Sequence, residues 1–195
     1  DQLTWNRADA VADWCVDNGF FMRGHTVFWK EIAQGNIDWA DALSDTVLRE
    51  EMEEHAHQIV GRYKHIIHEW DFCNEIGHVS YYHSRFGYSI YRDMIDWMRA
   101  ADSTVVAYYN DYAVCANASD DVNKIKLLKT HHVPIGGIGI QGHLGDTINQ
   151  STVWYNLNLL AQFGHPLRIT EFDFGQSDDA LHAKGVEDFY RVCFA

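Results

Sequence analysis

Two glutamates, Glu75 and Glu171, stand at the ends of short apolar segments in different parts of the sequence. No ligand spacing typical of a metal site accompanies them. Two carboxyl groups that face one cleft suit glycoside hydrolysis, in which one acid protonates the leaving oxygen and the other carboxylate attacks or stabilises the anomeric carbon. This pair is therefore the first candidate for chemistry.

Other polar side chains occur near the carboxyl ends of the predicted strands. They are Arg23, His25 and Trp29 on the first strand, Asn74 on the second, Asn110 and Asp111 on the third, Gln141 and His143 on the fourth, and Asp173 on the fifth. Alternate residues of a strand point to the same side, so Glu171 shares a face with Asp173. One such strand end is most simply the start of a solvated loop, but five together favour a functional site.

Five predicted βα units, preceded by one helix, must position these side chains. Strands are predicted at residues 20–29, 68–74, 104–109, 135–144 and 167–174, and helices at 8–18, 44–63, 88–101, 122–130, 153–163 and 180–194. Gly19 is expected to end the first helix, and Ser44 to cap the second. Alternating strands and helices indicate a parallel sheet covered by helices, either an open doubly wound sheet or a (β/α)8 barrel.

The motifs and the length favour the barrel. Neither GxGxxG nor GxxxxGK[ST] follows any predicted strand, so a nucleotide-binding open sheet loses support. A (β/α)8 barrel needs eight strands and typically about 250 residues, whereas this chain has 195 residues and five predicted strands. We therefore expect residues 1–195 to form an incomplete (β/α)8 TIM barrel, as a fragment of a single catalytic domain.

Composition narrows the classes of partner. The chain carries 15 Lys and Arg against 28 Asp and Glu, a net charge of -13. This charge argues against nucleic acid and against an anionic membrane surface, and no apolar run is long enough to span a bilayer. Aromatic residues make up 14% of the chain, which permits sugar stacking beside ordinary core packing. The wide spacing of the four cysteines predicts free or buried thiols, and a single disulfide bond stays an alternative.

Five segments resemble the strand motifs of glycoside hydrolase family 10, the endo-β-1,4-xylanases. Residues 23–29 (RGHTVFW) are similar to the family's RGHTLVW, 70–75 (WDFCNE) to WDVVNE, 108–112 (YYNDY) to YINDY, 138–144 (IGIQGHL) to GIGxQxHL, and 169–173 (ITEFD) to ITELD. They occur in the family's order and correspond to its strands three to seven. Lys30 departs from the pattern, since the family usually has His there.

The resemblance implies a retaining barrel enzyme that needs no metal and no cofactor. It assigns Glu75 as the general acid/base and Glu171 as the nucleophile. Asn74 would bind the 2-hydroxyl of the reacting sugar, and His143 would touch the nucleophile with Asp173 behind it. The remaining sugar contacts it implies are His25, Trp29 and Gln141. The implied partner is xylan or a related plant cell-wall polysaccharide, and a polymeric substrate leads us to expect a secreted protein.

Several alternatives stay open on the sequence alone. The barrel could bind carbohydrate without cleaving it, or hydrolyse another β-linked glycan. Lys30 could meet an acidic side group of the polymer at the cleft rim, or simply be solvated. A predicted loop after Glu75 contains Tyr81, Tyr82 and His83. These side chains could stack against a sugar or pack locally within the protein. The histidines at 55, 57, 65 and 68 are most simply surface residues rather than metal ligands.

Overall fold

A computed structural model describes residues 3–30 and 38–195, which contain a five-stranded parallel sheet. The strands are β1 (Met22–Phe28), β2 (Ile67–Asn74), β3 (Val106–Asp111), β4 (Gly137–Leu144) and β5 (Leu167–Phe174). Each strand pairs in parallel with the next, in the order β1-β2-β3-β4-β5. A doubly wound sheet would reverse its strand order at a switch point. The sequential order is that of a (β/α)8 barrel, so the prediction of five βα units from such a barrel is confirmed.

Helices precede, separate and follow the strands. They are α1 (Asn6–Asn18), α2 (Asp38–Ala42), α3 (Asp45–Arg62), α4 (Tyr81–Phe86), α5 (Ile90–Ala101), α6 (Ser119–Thr130), α7 (Gln150–Ala161) and α8 (Asp179–Cys193). All six predicted helices are present. The sequence analysis did not predict α2 and α4, because five or six residues are too few to show a helical period of apolar side chains.

The predicted helix ends have the expected capping geometry. The Ser44 hydroxyl accepts the backbone N–H of Val47 at 3.3 Å, which satisfies one of the unpaired donors at the start of α3. Gly19 follows α1 in the left-handed conformation, with φ 68°, a geometry that glycine adopts without steric cost. Local sequence therefore sets where both helices begin or end.

The helices bury their apolar faces on the sheet. Helix α5 contributes Ile90, Tyr91, Met94, Ile95 and Met98, all fully buried and spaced at helical intervals. The Tyr91 ring packs edge-on against Phe72 of β2, with ring centroids 6.3 Å apart. Strand β2 is buried from Trp70 to Asn74, as expected for a parallel strand covered on both faces.

The sheet is curved, because side chains from distant strands touch in its interior. Arg168 on β5 lies 3.1 Å from Glu69 on β2, although two strands lie between them. On a flat sheet these strands would be roughly 14 Å apart, at about 4.8 Å per spacing. At the same level, Gly24 lies so close to Trp70 that any Cβ there would overlap the indole ring. The concave side of the sheet therefore brings residues of several strands within hydrogen-bonding distance.

A cluster of charged residues fills the amino halves of the strands on this concave side. Arg23 on β1 contacts Glu69 and Asp71 on β2, each at 2.6 Å. Glu69 also accepts hydrogen bonds from the Arg168 guanidinium group and, at 3.1 Å, from the Tyr108 hydroxyl. We call these five residues the amino-half cluster; they link β1, β2, β3 and β5 beneath the carboxyl ends of the strands.

The structure also shows the state of the cysteines. All four cysteines are free thiols, with Cys73 and Cys115 buried. Across residues 3–30 and 38–195, no helix is long and apolar enough to cross a membrane.

Candidate active site

The carboxyl ends of the strands enclose a cavity of about 550 Å³. Seven of the eight predicted site residues line it. They are His25, Trp29, Asn74, Glu75, Gln141, His143 and Glu171, joined by Tyr112 and Ala113. The eighth, Asp173, lies behind His143. Residues from all five strands or their ends therefore meet at one cleft, as the rule for parallel barrels predicts.

Glu75 begins the turn that follows β2. Its backbone is left-handed, with φ 59°, a conformation that costs a non-glycine residue about 1 kcal/mol or more. Several hydrogen bonds hold it there. Its N–H donates to the Asn110 carbonyl at 2.8 Å, while its own carbonyl accepts the N–H of His78 at 2.9 Å and that of Val79 at 2.7 Å. These contacts fix the direction in which the Glu75 side chain leaves the strand.

Neutral donors surround the Glu75 carboxyl group. Its Oε1 accepts from Asn74 at 3.1 Å and from Gln141 at 3.2 Å, and its Oε2 accepts from the Trp29 indole at 3.1 Å. Glu75 is only 8% exposed, so these donors replace most of the water that would otherwise solvate it. Amide and indole groups satisfy the carboxyl oxygens without adding a positive charge.

Glu171 on β5 is more open to solvent than Glu75. Its side chain is 30% exposed. Its Oε1 accepts from the Asn110 amide at 3.1 Å, and its Oε2 lies 3.0 Å from His143 Nε2. His25 Nδ1 approaches the same carboxylate at 4.0 Å. The group is thus oriented by its neighbours and still accessible from the cleft.

His143 lies between two carboxylates. Its Nδ1 hydrogen-bonds with Asp173, and its Nε2 with Glu171. Partial burial lowers the pKa of His143, but the hydrogen bonds and charges of Asp173 and Glu171 outweigh it, so the pKa is raised overall. His143 is therefore positioned to carry a positive charge next to Glu171.

His25 has a similar arrangement with a buried partner. Its Nδ1 lies 3.1 Å from Asp71, which is itself 2% exposed and paired with Arg23. The hydrogen bond with Asp71 raises the pKa of His25 more than burial lowers it. Asp71 thus connects the amino-half cluster to the cleft.

Asn110 is the site residue whose bridging role the sequence reasoning missed. Its side-chain Nδ2 donates to Asn74 Oδ1 at 2.9 Å and to Glu171 at 3.1 Å, while its side-chain Oδ1 accepts from the Thr170 hydroxyl at 2.5 Å. It is fully buried. Its position at the end of the third strand was a visible signal, but the sequence does not reveal that one amide joins the surroundings of both glutamates.

Two expectations about the rim of the cleft need correction. Lys30 is not a solvated cation: its side chain is 7% exposed, lies 2.7 Å from Asp41 and sits over the Tyr81 ring. Tyr81 and Tyr82 belong to α4 rather than to a loop. Tyr82 is buried and packs edge-on against Phe28. Tyr82 therefore packs against β1 rather than forming a sugar platform, and the Tyr81 ring lies under the Lys30 ammonium group.

This arrangement can support acid–base and nucleophilic chemistry at one carbon centre. One carboxyl group, on Glu75, is buried among neutral donors, and the other, on Glu171, faces the open cavity beside an imidazole. The Asn74–Asn110 amide pair connects them. Such a pair can deliver a proton on one side of a bond and attack from the other side.

Comparisons with known proteins agree with this geometry. The family model described as Glycosyl hydrolase family 10 matches residues 1–193. Anti-sigma-I factor RsgI6 of Acetivibrio thermocellus is 29% identical over 99% of this chain and 25% of its own length. Endo-1,4-beta-xylanase 3 of Arabidopsis thaliana is 29% identical over 100% of the chain and 26% of its own.

A solved structure gives the same result for the fold. Xylanase 10B from Thermotoga petrophila RKU-1, in complex with xylobiose, superposes with a TM-score of 0.84 at 25% identity. The match covers 99% of this chain and 64% of that one. The chain thus spans about a quarter of the length of the two curated relatives and about two thirds of the solved chain.

Proposed function

The chain belongs to glycosyl hydrolase family 10, and we propose that it acts as a retaining endo-β-1,4-xylanase. The observation that carries the proposal is the pair of carboxyl groups from β2 and β5 that line one cavity in different surroundings. Relatives named as xylanases and a structural neighbour that holds xylobiose support xylan as the substrate. The double-displacement mechanism is the one that the family resemblance implies for such a pair.

In the first step, Glu171 attacks the anomeric carbon of the sugar. A bond forms between this carbon and a carboxylate oxygen while the glycosidic C–O bond breaks. Glu75 transfers its proton to the departing oxygen, so the leaving sugar is released as a neutral alcohol. Asn110 and His143 stabilise the attacking carboxylate through hydrogen bonds at 3.1 and 3.0 Å.

In the second step, Glu75 acts as a base. It accepts a proton from water, whose oxygen attacks the anomeric carbon and displaces the Glu171 carboxylate. The sugar leaves with its original configuration, and Glu75 regains the proton that the next cycle needs. Among the described residues, the groups that hydrogen-bond to the Glu75 carboxyl oxygens are two amides and an indole rather than an arginine or a lysine.

The remaining predicted residues would hold the sugar. Asn74 would bind the 2-hydroxyl, while His25, Trp29 and Gln141 line the same cavity and offer ring or amide donors. Asp173 would keep His143 oriented towards Glu171. We further propose that xylan meets the protein outside the cell, since the polymer is too large to enter. The placement of residues 1–195 within one catalytic domain stays a prediction.

Two glutamate substitutions test the proposal. We expect Glu75→Gln to lose most of its kcat/KM on xylan but much less on an aryl xyloside with a good leaving group, since the first step on such a substrate needs no proton. Glu171→Gln should be inactive on both. The measurement is sugar release from xylan, β-glucan and mannan in parallel, and release of the aryl group from the xyloside. It uses folded protein with its natural termini. Glu50→Gln, at an exposed position on α3, is the matched control.

The outcomes separate the alternatives. Xylo-oligosaccharides released from xylan alone support the xylanase, whereas release from another polymer keeps the mechanism and changes the substrate. Normal turnover by Glu171→Gln would rule out Glu171 as the nucleophile.

A carbohydrate-binding protein without turnover is the second candidate function. One relative bears the name of an anti-sigma factor rather than of an enzyme, so the family's sequence pattern also occurs in a protein named for regulation. Binding of xylo-oligosaccharides without any release of sugar by the folded protein would favour this candidate. The presence of both glutamates favours the enzyme.

A further inference from the structure

A second pair of acidic side chains lies buried beneath the turn that begins at Glu75. Asp111, the last residue of β3, is fully buried, and Asp121 on α6 is 1% exposed. The hydroxyl of Tyr109, also fully buried, lies between them, 2.9 Å from Asp111 Oδ2 and 2.8 Å from Asp121 Oδ1. Where the family motif YINDY has Ile, this chain has Tyr109, so the bridge uses a residue that the resemblance does not explain.

Asp111 holds the turn from below. Its Oδ2 accepts the backbone N–H of Gly77 at 2.6 Å, and its Oδ1 lies 2.6 Å from His78 Nδ1. A Cβ at position 77 would lie 2.7 Å from Asp111 Oδ2 and 3.0 Å from the Tyr109 hydroxyl. The turn therefore rests directly on this pair, and only glycine fits there.

The hydrogen-bond pattern assigns the shared proton. A phenol has one proton to donate, yet Tyr109 has a carboxyl oxygen on each side. Asp111 already accepts from Gly77, Tyr112 and His78, which suits a carboxylate. A neutral Asp121 that donates to the Tyr109 oxygen satisfies both contacts of the phenol, since two ionised carboxylates on either side of one phenol oxygen would repel one another.

The groups that face Asp121 agree with this assignment. Burial and the neighbouring Asp111 raise the pKa of Asp121 to about 7. Tyr109 and His78 oppose the rise through a hydrogen bond and a charge. Burial and both carboxyl groups raise the pKa of Tyr109 well above its usual range, so it stays a phenol. On β2, burial raises the pKa of the Cys73 thiol, which also faces Asp111.

We propose that Tyr109 and Asp121 are positioning residues for Glu75. They orient the Asp111 carboxylate, which fixes the Gly77–His78 turn and thereby the strained backbone of Glu75. This inference rests on the proposed role of Glu75 as the acid. In the first step, a displaced acid should slow bond cleavage only where the leaving group needs a proton, because the nucleophile lies on β5, outside this network.

The test compares two substrates in the purified protein with its natural termini. One is xylotetraose, whose leaving group needs a proton, and the other is a dinitrophenyl β-xylobioside, whose leaving group does not. For Tyr109→Phe we expect kcat/KM on xylotetraose to fall about tenfold, while kcat/KM on the aryl substrate, which reports the first step alone, stays within about twofold. Tyr91→Phe removes the hydroxyl of another buried tyrosine, on α5, and should leave both rates unchanged.

Asp121 gives an independent version of the test. Asp121→Asn keeps a neutral donor to Tyr109, so the ratio of the two rates should match that of the unmodified protein, whereas Asp121→Leu should behave like Tyr109→Phe. Since the folded pKa of Asp121 is raised, its ionisation lowers stability as pH rises from about 4 to about 7. Asp121→Asn should lose that part of the pH dependence in urea unfolding.

The possible results separate this inference from the proposed function. The positioning role is wrong if a folded Tyr109→Phe or Asp121→Leu variant lowers the rates on both substrates equally. It is also wrong if such a variant lowers neither rate. If one of these variants does not fold, the other decides. If Glu75→Gln itself shows no selective loss on xylotetraose, the acid role of Glu75 fails instead.

Discussion

Two polar networks share the concave side of the sheet, one in the amino halves of the strands and one at their carboxyl ends. In the amino-half cluster, two arginines meet two carboxylates, and each carboxylate contacts at least one guanidinium group at 3.1 Å or less. At the cleft, Glu75 and Glu171 have amide, indole and imidazole neighbours instead. Among the described residues, neither glutamate pairs with Lys or Arg.

The difference follows from what each network must do. A guanidinium group beside a carboxylate favours its ionised form and keeps it ionised. That is useful where charges only tie strands together. A carboxyl group that must release and regain a proton needs neighbours that tolerate both forms, as an amide does because it has both a donor and an acceptor. The amino-half cluster is therefore suited to structure, and the cleft to chemistry.

The largest effect that tests this comparison is on stability. We expect Arg23→Gln to destabilise the protein by about 3 kcal/mol, because it removes the guanidinium group from the buried Asp71, whose carboxylate is then left with His25. The side chain of Asp71 is 2% exposed. Urea unfolding followed by circular dichroism measures the change. Arg168→Gln is the matched control; its side chain is 51% exposed, so we expect a loss of less than about 1 kcal/mol.

Equal losses for the two arginine variants would contradict the view that burial of Asp71 sets the cost. A large loss of activity in folded Arg23→Gln would show that Asp71 also transmits changes to His25.

The comparison also explains what the sequence could predict. Residues 167–174 were predicted as a strand and form β5 with the same bounds. The meeting of Glu75 and Glu171 followed from one rule, that parallel strands end on the same side of a barrel. By contrast, β3 was predicted to stop at residue 109 but extends to Asp111. Its last two residues, Asn110 and Asp111, are polar but buried, and polarity alone does not distinguish a buried strand end from the start of a loop.

Contacts across the curved sheet were beyond the sequence analysis. The Arg168–Glu69 pair joins strands that are not neighbours, and its geometry depends on curvature rather than on any local pattern. The same holds for Tyr109 and Asp121, which belong to a strand and to the helix after it. Periodicity identifies which face a residue occupies, but not which distant side chain it meets there.

The next effect concerns pH and the His143 pair. We expect Asp173→Asn to lower the pKa of His143, because the substitution removes one of the two carboxylates that raise it. An NMR titration of the His143 ring protons measures the shift. The folded pKa lies above the ordinary 6.5, so this pair stabilises the protein below pH 6.5 and the effect is lost as pH rises through the folded pKa.

In Asp173→Asn that pH-dependent part of the stability should shrink, while the titration of His25, which faces Asp71, should stay where it was. An unchanged pKa of His143 would mean that Glu171 alone sets its charge.

The smallest expected effect is the sharpest contrast with Arg23. We expect Glu75→Gln to change the free energy of unfolding by less than about 1 kcal/mol, even though Glu75 is nearly as buried as Asp71. The amide keeps an oxygen for the Asn74 and Gln141 donors and loses only the contact with Trp29. No arginine or lysine is left without a partner, so removing the charge leaves no such group uncompensated.

Urea unfolding of Glu75→Gln beside Arg23→Gln makes the comparison. A loss of stability as large as that of Arg23→Gln would show that the Glu75 charge is itself structural. A small loss, together with the loss of activity on xylan, would place Glu75 among residues kept for chemistry rather than for folding.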